Sequence, residues 1–163
     1  MATDIGNLFE KQVEKVFRKL KATHAVSLHR LVDSGSAGNI VQSQPSDYLL
    51  GVPGSLGYLE AKASEKHKKL QLSMLRPSQR GAIKYYQGVL RIPYYVLFWD
   101  VVGSRIELWE GLTALKSSRT KKPLTVLNNC SFREKLNEEA LREFLIGQFN
   151  LRPLKELNLE FLQ

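Results

Sequence analysis

"PSDYLLGVPGSLGYLEAKAS", residues 45–64, sets two carboxylates and a lysine around a turn. "DYLLGV" and "LGYLEAKA" are short runs rich in Tyr, Leu and Val, and "PGS" between them is a turn signal, so the stretch reads as a β-hairpin. With Pro53 and Gly54 at the tip, Val52 pairs with Ser55 and Asp47 comes to face Glu60. Pro-Gly suits a type II turn better than the primed turns that hairpins favour, which leaves a longer loop and a one-residue shift open. Either way the two carboxylates stay close. Like charges opposite each other destabilise a strand pair, so the pair needs a shared proton or a cation between its members. Lys62 lies two residues from Glu60 and points to the same face. Two hard oxygen ligands and an ammonium on one face suit Mg²⁺. A solvated sheet face with an ordinary ion pair would carry the same three residues, and the spacing by itself does not separate the two.

The rest of the chain narrows the choice. Its 163 residues are expected to form one domain, with 43% hydrophobic and 25% charged residues, a globular composition. No apolar run has the length of a membrane span, and "MATDIGNLFEKQ" has no signal-peptide pattern. One cysteine, Cys130, excludes an internal disulfide and a cysteine-based zinc cluster. His24, His29 and His67 lack metal-ligand spacing and read as strand or surface residues. A cytosolic setting without a membrane partner is expected. The net charge of +8 favours a polyanionic partner, most simply nucleic acid. The positive charge is clustered. "KASEKHKK" (62–69) follows the carboxylate strand directly, "KSSRTKK" (116–122) is a second patch, and Lys15, Arg18, Lys19 and Lys21 form a third. Lys66, Lys68, Lys69, Arg76, Arg80, Lys121 and Lys122 are the candidate DNA-contacting residues.

Residues 4–21 have helical periodicity, with Leu8, Phe9, Val13, Val16, Phe17 and Leu20 on one stripe and Glu10 and Glu14 near its edge. On a solvated surface Glu14 would pair with Arg18. Residues 24–32 read as a strand, and 33–46 as a polar, glycine-rich loop expected to be mobile without a bound partner. Residues 76–90 read as a helix with Pro77 near its start and Ile83, Tyr86 and Leu90 facing inward. "PYYVLFWD" (93–100) is a buried central strand, paired through a turn with "SRIELWE" (104–110). Residues 131–149 read as a helix opened by a Ser131–Glu134 capping box. The order α-β-(β-β)-α-β-β-α implies an α/β fold, a mixed central sheet flanked by helices. No GxGxxG, Walker loop, Ser-His-Asp pattern or zinc-finger spacing is present.

A helix with a glutamate, then a strand, Asp…Glu-x-Lys on a hairpin and another helix, resembles the PD-(D/E)xK nuclease superfamily, with its restriction-endonuclease-like core. "SDYLLG" followed by "YLEAKAS" resembles in particular the RecU Holliday-junction resolvases, where Thr/Ser-Asp-Tyr-x-Gly precedes Glu-Ala-Lys. The likeness covers roughly residues 6–115. It implies that Asp47 and Glu60 are metal ligands, helped by the Ala61 carbonyl. Lys62 would position or activate the attacking water. Glu10 would complete or orient the metal shell, and Gln79 would sit near the scissile phosphate. The implied activity is Mg²⁺-dependent cleavage of branched DNA such as a four-way junction, with Mn²⁺ able to substitute. A homodimer in the cytoplasm of a bacterial or phage-infected cell is implied with it. One departure is plain: RecU proteins carry a long stalk before the Asp motif, and here only "DSGSAGNIVQSQP" stands there. A shortened phage-type resolvase would fit. The rivals are a non-catalytic DNA-binding accessory protein of the same fold and a protein-interaction domain with incidental basic charge.

Overall fold

The computed structural model describes residues 4–32, 44–116, 121–128, 130 and 137–157. Six strands form one sheet in chain order: β1 (Ser27–Arg30), β2 (Tyr48–Val52), β3 (Ser55–Ser64), β4 (Tyr94–Asp100), β5 (Arg105–Glu110) and β6 (Thr125–Leu127). Among the described residues only β3 and β4 run parallel; the other neighbouring pairs are antiparallel. The mixed sheet flanked by helices is therefore present. No helix among the described residues is long and apolar enough to cross a membrane.

The hairpin has the tight register. Val52 pairs with Ser55 and Tyr48 with Leu59. Gly54 has φ +77°, the left-handed conformation that the third position of a type II turn requires after Pro53. Further along, β3 lies close to the segment entering β4. The Tyr58 N–H donates to the Pro93 carbonyl at 2.9 Å. A Cβ on Gly57 would stand 2.7 Å from that same oxygen, so the approach needs a glycine.

Each face of the sheet buries its own core. Alternation along β3, β4 and β5 sends Leu59, Ala61, Leu97, Trp99, Ile106 and Leu108 to one face. There they meet Phe9, Val13, Val16, Phe17 and Leu20 of α1 (Ile5–Lys21), with Leu141 and Leu145 of α4 (Glu138–Phe149). Asp4 caps α1 by accepting the Gly6 N–H at 3.0 Å. The other face carries Tyr94, Val96, Phe98 and Trp109 under Ile83, Leu70, Leu75 and Ala114. The covering elements are α2 (Pro77–Ala82), the π-helical continuation Ile83–Val89, and α3 (Gly111–Leu115). Burial on both faces explains the nearly unbroken apolar run of β4.

Several expectations change. The strand expected over 24–32 contracts to Ser27–Arg30; His24 forms a lone bridge with Pro153. Leu90 is 46% exposed rather than inward. The cause is the π-turn, in which the Leu90 N–H bonds the Tyr85 carbonyl, taking in one more residue per turn and rotating Leu90 off the Ile83 face. Helix α4 starts at Glu138, and its N-cap is Asn137, whose side chain accepts the Ala140 N–H. The expected Ser131–Glu134 box lies outside the described residues, as does 33–43 of the glycine-rich loop. Strand β6 and helix α3 were not foreseen. His29 and His67 are exposed, as expected.

Candidate active site

Strand β3 outruns β2. Its partner ends at Tyr48, opposite Leu59, so residues 60–64 pair only with β4. Asp47 occupies the open side just beyond that end. Its N–H donates to Glu60 Oε2 at 3.0 Å, and its own Oδ2 accepts the Ala61 N–H at 3.0 Å. The carboxylates foreseen to face each other thus exchange hydrogen bonds with each other's backbone neighbourhood. The approach to Asp47 is pinned on three sides. Tyr94 Oη donates to the Pro45 carbonyl at 2.5 Å, Ser46 Oγ to the Tyr48 carbonyl at 2.7 Å, and the Leu31 N–H to the Asp47 carbonyl at 2.8 Å. In a strand a residue's N–H and C=O leave on the same side. The Ala61 carbonyl therefore also points toward Asp47.

Glu60 is 0% exposed. Lys62 Nζ lies 2.5 Å from Glu60 Oε1, and Gln79 Nε2 donates to the same oxygen. Gln79 is 1% exposed, not a solvated helix residue. Its Oε1 accepts the Arg76 N–H at 2.9 Å, so one side chain caps α2 and clamps Glu60. Burial pushes the Glu60 carboxyl up to about 7; repulsion from Asp47 adds to the shift and Lys62 offsets part of it. A carboxyl in that state is short of positive charge.

Glu10 reaches the edge of this cluster from α1. Burial raises its carboxyl, Asp47 raises it further, and the bond to Arg30 counteracts. Arg30 NH2 holds Glu10 Oε2 at 2.7 Å, and Arg30 NH1 holds Glu14 Oε1 at 2.5 Å. Tyr48 Oη also donates to Glu14, at 2.9 Å. Glu14 is therefore tied to the sheet, not to Arg18 as a solvated helix surface would have it. Among the described residues no group of three or more His, Cys, Asp or Glu side chains gathers at metal-binding range. Glu10 is bonded to Arg30 rather than joined to Asp47 and Glu60.

The donor set fits a hard divalent cation. Asp47, Glu60 and the Ala61 carbonyl offer only oxygen. When all ionise, Glu10, Glu14, Asp47 and Glu60 outnumber Arg30 and Lys62 by two charges, the charge of one such ion.

The basic residues divide. Lys66, Lys68, Lys69, Arg76, Lys121 and Lys122 are exposed, and Arg80 is half-buried beside Pro77 and Lys84. Lys15 and Lys19 both bind Glu138, which ties α1 to α4 and spends part of the third cationic set. The sequence reading missed Arg105, Glu107 and Trp109, which share one face of β5. Their i, i+2, i+4 spacing within "SRIELWE" was the available signal. Arg30 was missed too; nothing local marks it, because its partners lie on α1.

No family model matches the chain, and no curated protein matches it. Among solved structures, the chain is similar to Hjc, a Holliday junction resolvase from the archaeal hyperthermophile Archaeoglobus fulgidus. The TM-score is 0.45 and the identity 13%, over 76% of this chain and 88% of that one.

Proposed function

We propose that the protein is a metal-dependent endonuclease acting on branched DNA, a junction resolvase of the RecU-like type expected from its motifs. The observation that carries this reading is the Asp47–Glu60 pair at the open end of β3, with Lys62 on the buried member. Asp47, Glu60 and the Ala61 carbonyl would hold Mg²⁺, with Mn²⁺ able to replace it. Bound there, the ion supplies Lewis acidity and an activated water.

The chain's own residues do the rest. Gln79 fixes the Glu60 carboxylate in one orientation, and the Asp47 N–H fixes its second oxygen. Lys62 is 20% exposed at its side chain, so its ammonium touches both Glu60 and solvent. From there it orients the attacking water or places charge on the scissile phosphate. Arg30 holds Glu10 beside the pair. Lys66, Lys68 and Lys69, on the segment leaving β3, meet neighbouring phosphates. Symmetric cutting of a four-way junction needs two such centres, hence a homodimer with isologous contacts. A cytoplasmic setting goes with this reading.

The test is parallel incubation with a four-way junction, a fork and linear duplex, with Mg²⁺ or with EDTA, for the wild type and for Asp47→Asn. The reading requires Mg²⁺-dependent nicking that the variant loses while DNA binding persists. Salt-sensitive binding without cleavage in either metal would leave the non-catalytic accessory protein. No DNA binding would remove nucleic acid altogether.

A further inference from the structure

A second cleft lies on the same face of the sheet as Glu60 and Lys62. Glu60, Val96 and Trp109 are in register across β3, β4 and β5, and so are Lys62, Phe98 and Glu107. Two strand spacings, about 10 Å, separate Glu60 from Trp109 and Lys62 from Glu107. The segment after β3 crosses this face, and Arg105 NH2 donates to the Lys68 carbonyl at 3.1 Å. Between that segment, β5 and residues 121–126 is a cavity of about 500 Å³. Leu70, Leu72, Trp109, Pro123 and Val126 give it an apolar floor, and Lys69, Lys121 and Lys122 stand around it.

Its polar interior is built rather than incidental. Glu107 is 3% exposed, and its oxygens accept from Arg105 NH2 at 2.6 Å and from Trp109 Nε1 at 2.8 Å. Arg105 Nε is buried and has no hydrogen-bond partner among the described residues, a donor left over once NH2 is spent. A buried donor without an acceptor is costly, so this polar cluster is under tension beside the cleft.

We infer that this cleft takes one unpaired nucleotide of the bound DNA strand. The inference rests on the nuclease reading and names a subsite for it. The volume lies in the range of small-molecule sites, roughly 300–1,000 Å³, and is too small for a duplex. The three lysines match a phosphate at the mouth. Phosphate alone would leave the apolar floor uncovered, whereas a base covers it. The distance to Lys62 is short enough for one strand to engage both places. A branch point that opens supplies such a nucleotide and linear duplex does not, so the cleft would contribute structure selectivity.

The experiment measures affinity, in EDTA, for a duplex with one unpaired 2-aminopurine and for the matched fully paired duplex. The wild type is expected to prefer the first about tenfold, the scale of one base contact, with a fluorescence change of the probe. Val126→Phe, which fills the floor, and Leu72→Trp, which fills it from the opposite wall, are expected to bring the ratio near one. Circular dichroism confirms that each is folded. Equal wild-type affinities, or a ratio unmoved in a folded filled variant, would overturn the subsite while leaving the nuclease reading in place. Weakening by Lys121→Ala/Lys122→Ala that is equal for both DNAs, with the ratio intact, would mean backbone contact only and also overturn it. No binding of either DNA would remove the nuclease reading and the subsite together.

Discussion

The buried carboxyl of Glu60 gives the sharpest physical test of the site, because it acts on folding as well as on chemistry. Its folded value is raised from 4.5 to about 7 by burial and by Asp47. Between those values the folded protein keeps a proton that the unfolded chain has released. Stability therefore falls as pH rises through the window from about 4.5 to 7, and this loss is absent below it. Roughly two and a half pH units at about 1.4 kcal/mol each set a ceiling of about 3.5 kcal/mol. For a chain of this size that is about 7–14 °C in Tm. The assay is thermal unfolding by circular dichroism in EDTA from pH 4.5 to 8, for the wild type and Glu60→Gln. The amide cannot ionise. Its one oxygen accepts from Gln79 while its NH₂ faces the Asp47 N–H, a cost that is the same at every pH, so subtracting its profile leaves the titration of the carboxyl on a constant offset. The difference should shift in the variant's favour between pH 4.5 and 7. Mg²⁺ favours the ionised carboxylate, so it should raise the wild-type Tm more at pH 8 than at pH 5 and do little for Glu60→Gln. Parallel profiles, or a Mg²⁺ effect equal at both pH values, would refute the reasoning.

Three further outcomes follow from single contacts. Asp47→Ala leaves the Ala61 N–H without its acceptor and should unfold about 1–3 kcal/mol more easily than Asp47→Asn, although both lose cleavage; equal denaturant midpoints would contradict this. Gln79→Ala removes the cap on the Arg76 N–H and the clamp on Glu60, so a loss of about 1–3 kcal/mol is expected, together with a drop in kcat; Gln79→Glu, which restores size but sets a third carboxyl against Glu60, should not rescue cleavage. Gly57→Ala drives a Cβ against the rigid Pro93 carbonyl and should cost about 1–3 kcal/mol in urea unfolding, whereas Gly81→Ala, with nothing near its Cβ, should not destabilise by contact.

The hairpin was legible because its information is local. Alternation and Pro53-Gly54 mark the hairpin, and the count outward from the tip gives the tight register; a one-residue slip would exchange the faces of Leu59 and Tyr58, which pack in different cores. Helix α1 was legible for the same reason, since its stripe repeats at the helical period. The misses concern tertiary partners. Strand β6 is three residues long, and what makes it a strand is pairing with Ile106–Leu108. Leu90 carries the right spacing for burial and is turned out by a π-turn that no periodicity announces. Glu14 has a good i+4 partner in Arg18 and ignores it, because the sheet offers Arg30 and Tyr48 together. Nothing local marks Gln79 as buried, because Glu60 and Arg76, which use both ends of its amide, are brought to it by the fold.

What the sequence could not convey is why the acids sit where they do. A strand interior satisfies both of its sides, and a strand end in solvent satisfies itself with water. Strand β3 does neither over residues 60–64: β4 pairs one side, and the other opens where β2 stops. The groups left there must find partners, and the Ala61 N–H finds the Asp47 carboxylate. The same step brings Asp47 against Glu60, which burial has already made reluctant to ionise. The geometry that completes the sheet is thus the geometry that gathers the negative charge, and no separate element is needed to build the site. Lys62 and Gln79 restrain one oxygen of Glu60, and the Asp47 N–H restrains the other. The pair is already held, so the cation proposed for it would meet a site needing little reorganisation. That preorganisation, rather than the Asp…Glu-x-Lys spacing, separates this arrangement from the solvated ion pair that would spell the same three residues.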